Sequence, residues 1–229
     1  GQWLQAQGGT LHSGYRVQRI ARGPAGSTGW RVDDAPFDAV VLATTSTEAA
    51  RLVLTAHAAH PTLQGPEAAA LQAWARKAQA LRFTAIATVY TQTSALPQGT
   101  VLSQPMLALR PGAGKPAQFV FDRMQLGGPA GLLAFVVSAS EGDRATLERE
   151  VLQQAQDQLG LQGLRIVQTV VEKRATFACT PALQRPPQTV ANGLCACGDY
   201  VEGPYPATLE GAVLSGTAAA GTPVAATMA

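Results

Sequence analysis

Three features of the sequence point to a mixed α/β protein in two parts. Between residues 81 and 139, four runs rich in β-branched and aromatic side chains are separated by Gly and Pro, the pattern of an antiparallel sheet. Two stretches, 66–80 and 144–159, repeat apolar residues at helical spacing. Near the C-terminus a strand-like run over 193–200 leads through a Gly/Pro-bearing loop into a helical run that opens near Pro206.

In chain order, Gly8 and Gly9 make a turn, 15–20 a strand, 29–33 its antiparallel partner and 37–44 a buried strand. An Ala-rich helix over 47–57 ends at His57, His60 and Pro61. A second helix turns Leu71, Trp74 and Ala78 inward. Strands follow at 83–90, 106–109, 118–121 and 132–138. Glu141-Gly142-Asp143 is a cap signal for a long helix with Leu147, Val151, Leu152, Ala155 and Leu159 inward and Glu148, Arg149, Gln153 and Asp157 outward. A strand over 164–171 returns, and the chain crosses back through 173–187. The expected domains are therefore 1–60 with 190–229, and 61–189 between them.

The C-terminal connection places the Asp199 carboxylate at a strand end opposite a helix start, where unpaired N–H groups suit phosphate or an electron-rich ring edge. Asp199 can accept hydrogen bonds from ribose-type hydroxyls, and Gly211 and Gly216 thin one side of the helix for close approach. An ordinary β-loop-α connection with an exposed Asp is the alternative. Read whole, Gly193-Leu194-Cys195-Ala196-Cys197-Gly198-Asp199-Tyr200 and the helical run after it resemble the C-terminal cofactor motif of flavin-dependent amine oxidases and their carotenoid-desaturase relatives. Gln118-Phe119-Val120-Phe121-Asp122-Arg123, Glu172-Lys173-Arg174-Ala175-Thr176-Phe177 and Gly203-Pro204-Tyr205-Pro206-Ala207-Thr208 resemble the squalene-associated branch, the hydroxysqualene dehydroxylases. The resemblance runs from about Trp3 to Ala220.

It implies the C-terminal part of an FAD/NAD(P)-binding Rossmann-like domain, split around a substrate lobe that carries an antiparallel sheet and helices. The Gly-x-Gly-x-x-Gly turn that opens such domains is absent, so the chain reads as part of a longer flavoprotein, or as a short paralogue without the cofactor half. FAD contacts are implied for Val17, whose N–H and C=O would read the adenine edge, and for Ala43, Thr44, Gly198, Asp199, Thr208, Leu209, Glu210 and Ala212. The implied reaction reduces hydroxysqualene to squalene at the junction of the lobes. Asp122, Arg123, Lys173 and Arg174 are the charged candidates for catalysis, with buried ion pairing as their other reading. Phe121, Met124, Leu126 and Phe177 are the candidate substrate lining. An amine oxidase, a phytoene-type desaturase and a self-associating fragment without flavin are the other readings; the last pairs through an exposed sheet edge into a homo-oligomer.

Composition narrows the partners. A net charge of +2 over 229 residues, with no Lys/Arg cluster, excludes a nucleic-acid footprint. No apolar run spans a bilayer and the start has no signal-peptide layout, which gives a cytoplasmic expectation. An isoprenoid substrate adds peripheral membrane contact to it. Cys179, Cys195 and Cys197 match neither a disulfide framework nor a zinc spacing, and the latter two read as buried, inert thiols. Two histidines without further ligands leave no metal site.

Overall fold

A computed structural model describes residues 1–24, 27, 29–58, 66–93 and 100–221, except for the His57 side chain; His60 and Pro61 lie outside the described residues. The elements run α1 (Gln2–Ala6), β1 (Ile20–Arg22), β2 (Trp30–Val32), β3 (Ala35–Phe37), β4 (Val40–Leu42), α2 (Ser46–Ala58), α3 (Pro66–Gln79), β5 (Phe83–Gln92) and β6 (Met106–Ala108). Next come β7 (Phe119–Asp122), a 3-10 turn (Met124–Leu126), β8 (Leu132–Ser138), α4 (Arg144–Leu159), β9 (Arg165–Phe177), β10 (Thr189–Ala191), β11 (Leu194–Ala196) and α5 (Leu209–Gly221). They form mixed α/β structure in two compact units, Gly1–Leu81 with Cys179–Ala229, and Arg82–Ala178.

The first unit holds two small sheets. One is the antiparallel ribbon β1-β2-β3, whose register pairs Val32 with Ala35 and leaves Asp33 and Asp34 as a two-residue turn. Both turn residues have positive φ, 44° and 80°, the type I′ geometry that follows strand twist. The strand expected over 15–20 begins only at Ile20, because side chains take the backbone groups before it: Asp33 accepts the Gln18 and Arg19 N–H groups, and Arg51 donates to the Val17 and Gln18 carbonyls. In the other sheet, β10-β11-β4, β4 runs parallel to β11 with Val40 beside Leu194 and Leu42 beside Ala196. The buried strand expected over 37–44 shrinks to β4, whose position at the end of the sheet leaves Val41 47% exposed.

Alanines set the helix packing. Ala49, Ala50 and Ala56 of α2 and Ala68, Ala75 and Ala78 of α3 are all buried, so the two helices pack closely. The Trp74 indole donates to the Pro187 carbonyl at 2.7 Å, and Trp30 is buried beneath the Arg22 guanidinium, 4.4 Å above its ring. These contacts put α3 in the first unit, so the boundary expected at residue 61 stands after Leu81, and that expected at 189 stands before Cys179.

The second unit is an antiparallel sheet ordered β6-β7-β8-β5-β9. Ala87, Val89, Val120, Leu133, Phe135 and Val137 form one face of it and pack with Leu147, Val151 and Ala155 of α4. Asp143 caps α4 by accepting the Thr146 N–H. Glu148, expected outward, accepts the Thr169 hydroxyl at 2.5 Å. Gln154, outside the apolar stripe, is fully buried: its amide both accepts the Ala117 N–H and donates to the Ala117 carbonyl, at 2.8 and 2.9 Å. One turn on, Gln158 does the same to Arg110, at 2.9 and 2.8 Å. β9 continues to Phe177, so Lys173 and Arg174 stand in a strand rather than in a crossing loop.

Candidate functional site

Two parallel strands end side by side in the first unit, and each feeds a helix. β4 leads through Ala43 and Thr44 to Thr45, whose carbonyl accepts the Ala49 N–H and starts α2. β11 leads through Cys197, which donates to the Leu42 carbonyl at 3.1 Å, to Gly198 and Asp199. Ala43, Thr44, Gly198 and Asp199 thus meet at the carboxyl end of a parallel pair, where open α/β sheets bind ligands. Cys195 and Cys197 pack with Ala219 beneath it, and burial raises both thiol pKa values.

On one side lies a cleft of about 500 Å³ lined by Val17, Ile20, Phe37, Val41, Thr44 and Glu48 among others. It unites two expected cofactor residues, Val17 and Thr44. From the Arg16 carbonyl to the Ile20 amide, every backbone polar group is hydrogen-bonded except the Val17 N–H, which has no partner among the described residues. The Val17 carbonyl, expected free for a base edge, already accepts from Arg51 at 2.7 Å and keeps one lone pair. Arg51 also binds Glu48, whose carboxyl it holds below the usual range, with Arg16 adding to the effect.

On the other side Asp199 lines a smaller cleft, about 190 Å³, with Arg185, Tyr205, Gly211 and Ser215. Burial raises the Asp199 pKa, opposed by a backbone N–H and the Arg185 charge. Arg185 itself is engaged by the Val201 and Gly203 carbonyls. Gly198 is held on α5: its N–H donates to Ser215 Oγ at 2.9 Å, and the same oxygen lies 3.0 Å from its carbonyl. Ser215 thus engages both backbone groups of Gly198, one of the expected FAD contacts. The helix expected from Pro206 begins at Leu209, because Ala207 sits at φ 57° and Thr208 caps it, accepting the Gly211 N–H. Gly211 is obligatory there, since a Cβ would stand 2.0 Å from the Tyr205 carbonyl oxygen; Gly216 meets nothing within 4 Å and thins no contact. The Leu209 and Glu210 N–H groups have no partner among the described residues, and Leu209 is 88% exposed. The Ala212 N–H closes the first helical turn on the Thr208 carbonyl, so it offers a ligand nothing.

In the second unit, the sheet face opposite α4 carries Met106, Phe121, Ala134 and Tyr90 in one cross-strand row, and Ala108, Phe119, Val136, Thr88 and Val170 in the next. Phe121 is half-buried there and Phe119 more exposed. Met124 and Leu126 are exposed in the 3-10 turn, whereas Phe177 is buried.

The charged candidates separate. Asp122 is fully buried: Oδ2 accepts from the Val101 N–H (2.8 Å), the Leu102 N–H (3.2 Å) and the Gln125 amide (3.1 Å), and Oδ1 accepts from the Met124 N–H (3.1 Å). Burial alone would raise its pKa, but these donors outweigh it and hold the carboxyl below its usual value. An ionised, saturated carboxylate is a structural clamp and a poor proton donor. It makes no ion pair with Arg123, and Lys173 and Arg174 are exposed, so the buried-pair reading also fails. No metal-binding group of His, Cys, Asp and Glu occurs among the described residues.

Solved structures share the fold. An oxidoreductase from Methanosarcina mazei superposes with a TM-score of 0.64 at 18% identity, over 96% of this chain and 51% of that one. A candidate protoporphyrinogen oxidase from Exiguobacterium sp. 255-15 gives 0.53 at 15%, over 88% and 46%. The PF1083 protein from Pyrococcus furiosus gives 0.53 at 10%, over 83% and 42%. The chain thus spans about half the length of the structures it matches. No curated protein matches the sequence. Residues 2–222 match the flavin containing amine oxidoreductases, and the chain, with its paired strand ends and open helix N–H groups, belongs to that family.

Proposed function

We propose that this chain supplies part of an FAD site and the isoprenoid-binding surface of an oxidoreductase that reduces hydroxysqualene to squalene. The observation that carries the flavin reading is the parallel pair of strand ends, which sets Thr44 and Asp199 beside two helix starts. The Val17 N–H would meet the adenine, Asp199 a ribose or ribityl hydroxyl, and the Leu209 and Glu210 N–H groups the electron-rich end of the ring. Bound FAD supplies or accepts hydride.

The isoprenoid reading rests on the open sheet face of the second unit. Its two rows of Met, Phe, Ala, Tyr, Thr and Val offer van der Waals contact to a hydrocarbon and, apart from Gln168 at one edge, few polar partners. Removal of the hydroxyl consumes one hydride and one proton and releases water; Asp122, already ionised, does not provide the proton.

The test is retention of FAD absorbance after gel filtration, followed by anaerobic incubation of the reduced, loaded protein with hydroxysqualene and extraction of squalene. Squalene in proportion to flavin oxidised supports the proposal. Flavin retention with no squalene refutes the substrate assignment, and a colourless protein shows that these residues do not hold FAD by themselves.

A further inference from the structure

The segment 16–20 is not a strand, yet it is held as firmly as one. Asp33 takes its donors: Oδ1 accepts from the Arg19 N–H at 2.8 Å, both oxygens from the Gln18 N–H at 3.1 Å, and Oδ2 from the Tyr15 hydroxyl at 2.8 Å. Arg51 takes its acceptors, donating to the Val17 and Gln18 carbonyls at 2.7 Å each while Glu48 fixes the guanidinium from its other side. An anion from the β2-β3 turn and a cation from α2 therefore grip the same peptide groups from opposite directions. What they leave over is one donor, the Val17 N–H, on a residue that lines the apolar cleft.

We infer that Asp33 and Arg51 are positioning residues that set the base specificity of this cleft, by fixing the Val17 N–H so that it donates to a ring nitrogen of a purine with an unprotonated N1. The inference rests on the adenine reading of the cleft given above. A charged clamp suits the task because neither partner can reverse its role: an ionised carboxylate only accepts and a guanidinium only donates. The arginine fork also spans two successive carbonyls, which an ammonium does not. With Arg51 already on the Val17 carbonyl, the N–H carries most of the discrimination.

Adenosine diphosphate and inosine diphosphate test this directly, because they share shape and charge but N1 accepts in adenine and carries hydrogen in hypoxanthine. Calorimetric titration of the whole chain with each gives an affinity ratio, and thermal unfolding checks that each variant folds. The wild type should prefer adenosine diphosphate by about tenfold, the scale of one well-placed hydrogen bond against an unpaired donor. R51K, which keeps the charge and the helix, should bring the ratio to within about twofold of unity, and D33N should do the same from the other side of the clamp. A purely structural role would lower the unfolding temperature and weaken both ligands equally, leaving the ratio unchanged; that result in a folded variant overturns this inference and leaves the cleft reading intact. Absence of adenosine diphosphate binding, or equal binding of both nucleotides, by the wild type overturns the cleft reading and this inference together.

Discussion

Asp122 shows how far a residue's chemistry depends on what surrounds it. In the sequence it is a charged member of a family-like motif, which made it a catalytic candidate; the spacing of Asp122 and Arg123 carries no sign that three backbone N–H groups from two loops converge on the carboxylate. Replacing it by Ala leaves those donors buried and unpaired, and D122A should lose about 3 kcal/mol of unfolding free energy by urea denaturation. Since its folded pKa is lowered, the stability it contributes is present above the unfolded value near about 4 and lost as pH falls through the folded one. Wild-type stability should therefore drop more steeply than that of D122A as pH falls below about 4. Asp33 was missed for a different reason: the strand expected over 29–33 took it in, whereas two Asp residues between short apolar runs are a type I′ turn signal, since Asp tolerates positive φ. Cys195 and Cys197 were legible because alternation on an apolar strand already implies burial.

Helix α4 and strand β8 follow their sequence patterns closely, the one through helical apolar spacing with an Asp143 cap and the other through a continuous apolar run. Gln154 broke the pattern. Amphipathic spacing assigns glutamine to solvent, yet here it supplies a strand's hydrogen-bond pair to Ala117, and Gln158 repeats the arrangement at Arg110. Q154L keeps the volume and strands both Ala117 groups, so we expect a loss of about 2–3 kcal/mol by thermal or urea unfolding, with faster hydrogen exchange at the Ala117 amide. On α5 the steric argument is backbone against backbone. G211A should shift the loop that carries Tyr205, destabilise by about 2 kcal/mol or more, and weaken any ligand held at the helix start, measured by unfolding and by flavin retention. The start of α5 was not legible: Pro206 advertises one, but Ala207 and Thr208 delay it to Leu209.

The two-part organisation was readable from the switch between helical and strand periodicity, while the limits of each part were not, because α3 joins α2 through alanines whose packing has no signature in spacing. The second unit is one continuous segment with its own core, and its ends are bonded to each other, Ala178 N–H donating to the Arg82 carbonyl at 2.7 Å. Residues 82–178 expressed alone should unfold in a single cooperative transition, monitored by circular dichroism in urea. The first unit cannot assemble so locally, for β4 and β11 lie on either side of that entire segment. Joining them closes one of the longest loops in the chain, and a folded second unit shortens the effective loop roughly threefold, worth about 1 kcal/mol of closure entropy. The pairing that brings Thr44 beside Asp199 is thus a late event in the life of the polypeptide: in pulse-labelled refolding, protection of Val89 and Phe135 should precede that of Val40 and Cys197, and the paired strand ends should come into being only after the sheet of the second unit.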